Sequence, residues 1–118
     1  MKLELSEISF NSNLSREYVI YGTGEIGRML KRTLELLGNK VVLFLCSDGY
    51  KKENTIDGIK VLEFTDFVKA NEQRDILLTV QRGSDNIKKI VKNSISNKII
   101  EINSFEDVLN VYKFFYND

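Results

Sequence analysis

Tyr18-Val19-Ile20-Tyr21 runs directly into Gly22-Thr23-Gly24-Glu25-Ile26-Gly27, and a helix-patterned stretch follows. A G-x-G-x-x-G turn between an apolar run and a helical period commits the chain to a strand, a tight turn and a helix that starts on it. Each glycine has a separate expected duty. Gly22 takes the turn out of the strand, Gly24 leaves room for a phosphate, and Gly27 lets helix and strand pack closely. Free N–H groups and the positive dipole end of the helix would then face an anion. The expected ligand is a nucleotide-type small molecule.

The rest of the chain repeats the alternation. Apolar runs predict strands over 18–21, 41–45, 59–62, 75–80 and 98–102. The unbroken run Val41-Val42-Leu43-Phe44-Leu45 is the pattern of a strand covered on both faces. Ile26, Leu30, Thr33, Leu34 and Leu37 recur at helical spacing, with Gly38 as the stop. Thr65 is a candidate cap for a short helix carrying Phe67 and Val68, and Ser84 for one through Ile87, Ile90 and Val91. Ser104 and Asp107 have capping-box spacing ahead of a helix that places Phe105, Val108, Leu109, Tyr112, Phe115 and Tyr116 on one face. The polar stretch from Cys46 to Asp57 reads as a loop.

The expected fold is therefore α/β: a single small doubly wound Rossmann-like domain with a five-stranded parallel sheet ordered 3-2-1-4-5. Residues 1–17 are an N-terminal extension, and 18–118 form the nucleotide-binding domain. Ligands of such folds lie beyond the carboxyl ends of the strands, where strand order reverses. That puts the glycine turn opposite Gln81-Arg82-Gly83, with the loop after Cys46 beside them. Arg82 suits a diphosphate, or is a plain surface arginine.

Composition removes other functions. Among 118 residues, Lys+Arg and Asp+Glu are both 17, so no broad basic field draws the chain to nucleic acid. No apolar stretch reaches the roughly 20 residues of a membrane span, so no membrane insertion is expected. With no histidine and one cysteine, His- or Cys-based metal sites and His-dependent nucleophilic catalysis are excluded. No Tyr precedes a Lys by four positions, so the pair used by short-chain dehydrogenases is missing. No catalytic residues are assigned, and whether the chain is an enzyme stays open. A single cysteine and a polar N-terminus fit a cytoplasmic protein.

The nucleoside side of the site is less regular. A dinucleotide-binding domain carries an acid about 20 residues past the turn, at the end of the second strand, to bind ribose hydroxyls. Cys46 stands there. Asp48 is the substitute that reaches inward from the loop, or a solvated turn residue. Tyr50 can stack on a base, and Lys51 and Lys52 can hold a 2′-phosphate or stay in solvent. Glu25 faces the phosphate side and can bond a sugar hydroxyl.

The runs YVIYGTGEIGRMLKRTLELLGNKVVLFLCSD, GIKVLEFTDF and DILLTVQRGSDNIKKI resemble the small Rossmann-like domain of bacterial surface-glycan enzymes. That domain precedes left-handed β-helix sugar acyltransferases and accompanies FkbM-type methyltransferases and some glycosyltransferases. The resemblance implies a UDP-sugar-binding module of polysaccharide biosynthesis whose transfer chemistry lies in another domain. It assigns Gly22, Thr23, Gly24, Glu25, Ile26 and Gly27 to the phosphate turn, and Gln81, Arg82 and Gly83 to the opposing loop. The family commonly carries Asp where Cys46 stands. The implied partner is a fused or separate transferase domain, or a second copy of the chain. An NAD(P)-binding oxidoreductase fragment, a Rossmann-like interaction domain without ligand and the nucleotide-binding regulatory domain of potassium transport systems, which shares the glycine turn and expects an acid at the Cys46 position, are the alternatives.

Overall fold

The computed structural model describes residues 17–70, 74–79, 87, 89 and 99–116. In chain order these form β1 (Glu17–Tyr21), α1 (Glu25–Leu36), β2 (Lys40–Cys46), β3 (Thr55–Ile56), β4 (Ile59–Glu63), α2 (Phe64–Ala70), β5 (Ile76–Leu78), β6 (Ile99–Glu101) and α3 (Phe105–Tyr116). Ile87 and Lys89 are also helical. The sheet runs β3-β4-β2-β1-β5-β6. Its five longer strands are parallel and stand in the expected order, with the reversal between β1 and β5.

The five-strand expectation needs one correction. Thr55–Ile56 pairs antiparallel with Ile59–Lys60, so a hairpin edges the sheet where a loop was expected. Its turn is Asp57-Gly58, with φ of 50° and 79°. Positive φ at both central positions is what a two-residue type I′ hairpin needs, and Asp-Gly satisfies it.

The sheet is buried on both faces because its strands alternate. Tyr18 and Ile20 of β1 join Phe44, Leu77 and Ile100 beneath α1 and α3. Val19 and Tyr21 join Leu45, Ile76 and Leu78 beneath α2, against Phe64 and Phe67. The register between β1 and β2 slips after Tyr18, so Val42 is an extra residue. This bulge lets both Val42 and Leu43 face the α2 side without putting Phe44 out of phase.

α1 buries Ile26, Gly27, Leu30, Lys31 and Leu34. It ends as its sequence predicts. Gly38 adopts φ 85°, its N–H bonds the Glu35 carbonyl, and the Asn39 N–H bonds Leu34. Those two bonds are the Schellman pair that satisfies a helix's last carbonyls. Glu17, expected in the extension, belongs to β1, where it pairs with Arg74.

α3 departs from its expected stripe. Val108 and Val111 face the core, while Phe105 and Leu109 are about half exposed. Ser104 accepts the Asp107 N–H at 3.1 Å, and Asp107 accepts the N–H of Asn103 at 2.9 Å. The capping box forms with its return bond one residue earlier than usual.

Candidate nucleotide site

The glycine turn lies at the carboxyl end of β1. Gly22 has φ 135°, and its N–H bonds the Leu45 carbonyl at 2.9 Å. A Cβ there would sit 2.1 Å from Thr79 Oγ1, whose hydroxyl donates to the Tyr21 carbonyl. Gly27 lies one helical turn on, against the Gly22 backbone. Around Gly24, by contrast, a Cβ would meet nothing within 4 Å. The open side of the turn is thus the side on which an anion can approach, and the first N–H groups of α1 point there.

Of the expected turn residues, Thr23 and Gly24 line a cavity and Gly22 a second one. Ile26 is in the core, so only its backbone N–H is available to a ligand. Glu25 is exposed and lines neither cavity. Gln81, Arg82 and Gly83 fall outside the described residues.

Two cavities meet over the ends of β1 and β2. The first, about 370 Å³, is lined by Thr23, Gly24, Arg28, Cys46, Tyr50 and Glu53, and continues along Lys51, Lys52, Ile56 and Val61. The second, about 500 Å³, is lined by Tyr21, Gly22, Thr23, Cys46, Ser47, Tyr50 and Ile87. Thr23, Cys46 and Tyr50 are common to both. Tyr50 follows the Ser47–Gly49 turn, which its N–H closes on the Ser47 carbonyl at 3.0 Å. Its ring is largely exposed, an aromatic surface at the junction.

Cys46 ends β2 opposite Glu63 of β4 and is nearly buried. Burial pushes its thiol pKa up, the Glu63 charge adds to that, and Lys51 opposes it. Tyr21 donates or accepts at Ser47 Oγ, 2.9 Å away. Burial raises its phenol pKa despite that bond.

Asp48 is occupied elsewhere. It accepts the Thr65 N–H at 3.0 Å, and the Thr65 hydroxyl bonds its other oxygen. These two bonds hold its pKa down, and it lines neither cavity. The expected local cap at Thr65 is thus replaced: an acid from the β2–β3 loop caps α2, and Thr65 supplies the donors. Glu63 accepts the Gly49 N–H and braces the same loop.

The sequence did not single out Arg28 or Glu53. Arg28 donates from Nε to the Thr23 carbonyl at 3.1 Å and pairs with Glu53 at 3.2 Å. Its position four residues after Gly24 puts it above the turn on the same helix face. Glu53 lies in the β2–β3 loop, two residues ahead of the hairpin that Asp57-Gly58 signals. Among the described residues no three acidic or cysteine side chains gather as a metal site, and no helix is long and apolar enough to cross a membrane.

No protein-family profile and no curated protein matches the chain. Solved structures do. UDP-D-quinovosamine 4-dehydrogenase from Vibrio fischeri superposes with a TM-score of 0.61 at 20% identity, over 83% of this chain and 86% of that one. RSP, a Rex-family repressor, superposes with a TM-score of 0.54 at 13% identity, over 90% of this chain and 61% of that one. The fold is Rossmann-like. At these identities the likeness concerns the fold.

Proposed function

We propose that the chain is a nucleotide-binding module, and more specifically a nucleotide-sugar-binding module of bacterial surface-glycan biosynthesis without catalytic residues of its own. The observation that carries it is the pair of cavities joined at Thr23, Cys46 and Tyr50, directly beside the open face of Gly24. A diphosphate at the glycine turn would extend its nucleoside into one cavity and its sugar into the other. Tyr50 offers a stacking surface at the junction. The printed name of the Vibrio fischeri neighbour, an enzyme of a UDP-sugar, and the sequence resemblance both support a sugar nucleotide over other nucleotides. The module would work in the cytoplasm beside a transferase domain or a second copy of itself.

Calorimetric titration of the whole chain with UDP, UDP-N-acetylglucosamine, NAD and NADP tests this. Binding of UDP and its sugar conjugate, abolished by Gly24→Val, is expected. Tighter binding of NAD or NADP would favour the oxidoreductase-fragment reading. Binding of none would leave an interaction domain.

A further inference from the structure

The Rossmann-like site needs an acceptor for ribose hydroxyls, and β2 ends in Cys46, which cannot accept two of them. Three acids surround this strand end, and their partners separate them. Asp48 is bonded to both donors of Thr65, and Glu63 to the Gly49 N–H. Neither lines either of the two cavities described above. Glu53 does, in the same cavity as Cys46, Thr23 and Gly24.

We infer that Glu53 is the ribose-binding carboxylate of this domain, presented by the β2–β3 loop just ahead of the hairpin to serve where the strand-end acid is missing. This rests on the nucleotide-binding reading. Arg28 fixes the carboxylate. Its guanidinium holds Oε2 at 3.2 Å while its Nε is tied to the Thr23 carbonyl, so the acid is tethered to the glycine turn itself. A carboxylate has about four lone-pair sites, so one ion pair leaves acceptors for two hydroxyls. Glu53 is half exposed, so a ligand can reach it. Cys46, a small side chain in the same cavity, avoids the like charge that a second carboxylate would bring. Glu53 in the cavity also opposes a ribose 2′-phosphate, so Lys51 and Lys52 do not by themselves make this a 2′-phosphate site.

The test compares matched nucleotides: UDP with 2′-deoxy-UDP, ADP with 2′-deoxy-ADP, and NAD with NADP. The wild-type chain should bind at least one ribonucleotide at least tenfold more tightly than its 2′-deoxy counterpart. Glu53→Ala should bring the pair within about twofold by weakening the ribonucleotide more than the deoxynucleotide, whose 3′-hydroxyl alone loses an acceptor, and the melting curve should still show a folded protein. Adding Cys46→Asp to Glu53→Ala should restore the discrimination. An unchanged ribo-to-deoxy ratio in Glu53→Ala overturns the inference and leaves nucleotide binding intact, as does an equal loss for both partners of a pair. NADP binding more tightly than NAD also overturns it. Failure of every nucleotide to bind removes the nucleotide reading itself, and this inference with it.

Discussion

The carbonyl oxygen of Gly22 occupies the place of a side chain on Gly27: a Cβ built there would lie 2.2 Å from it. Helix and turn therefore touch backbone to backbone. Gly27→Ala must push α1 off β1, because a carbonyl in a tight turn has no alternative rotamer. The expected loss is about 3 kcal/mol, toward the upper end of what overpacking costs. Gly24→Ala should cost less than about 1 kcal/mol, since its side chain enters open space at an ordinary φ of −82°. Urea denaturation of the two variants checks the contrast. Gly24→Val should still fold while losing nucleotide binding.

The hairpin turn carries a second expectation. Gly58 has φ 79°, and Lys31 of α1 pairs with Asp57 at 3.5 Å. Gly58→Val should destabilise by about 1–2 kcal/mol, the cost of a left-handed conformation with a branched side chain. It should also weaken nucleotide binding, because the hairpin sets Ile56 against the first cavity and anchors the end of the loop that carries Glu53, where the Asn54 carbonyl accepts the Val61 N–H. Denaturation gives the first effect and calorimetry the second. Stability lost with affinity fully kept would separate the hairpin from the site.

Much of this was legible in the sequence, for identifiable reasons. The alternation of apolar runs with helical periods, together with the glycine turn, pointed to the parallel order, and Gly38 marked the end of α1 because only a residue at ease with positive φ closes a Schellman pair. The hairpin was overlooked because its strands are two residues each. Asp57-Gly58 between Thr55-Ile56 and Ile59-Lys60 was nonetheless a usable signal. The stripe on α3 misled because Phe105 and Leu109 share helical spacing with Val108, yet helix spacing does not say which flank meets the sheet. Asp48 and Glu53 could not be told apart by spacing. Their difference lies in Thr65, seventeen residues from Asp48, and in Arg28 on another element.

Asp48 gives a pH expectation. Its two Thr65 bonds depress its folded pKa below the ordinary value of 3.8. A depressed acid contributes stability above its unfolded pKa and loses it as pH falls through the folded one. Asp48→Ala should therefore be less stable than wild type by about 0.5–1 kcal/mol at pH 7, the low half of the range for a helix cap because the group is exposed. The gap should close as pH drops below about 4. Urea midpoints of both proteins between pH 7 and pH 3 measure it. A gap that widens on acidification would mean that Asp48 does not cap α2.

Cys46 gives a chemical reporter of the site. Burial and the Glu63 charge raise its thiol pKa, so little thiolate exists at pH 7 and alkylation by iodoacetamide should be slow. The rate should climb with pH and still be rising above pH 9, the thiol's unperturbed value here. Glu63→Gln removes the like charge and should speed the reaction at a given pH. Because Cys46 lines both cavities, a nucleotide spanning them should protect it. UDP-N-acetylglucosamine should slow alkylation in the wild-type chain and have no effect in Gly24→Val, followed by mass spectrometry of the intact protein. Fast alkylation at pH 7 would contradict the buried strand-end position. Alkylation unaffected by a nucleotide that calorimetry shows to be bound would place that nucleotide elsewhere on the protein.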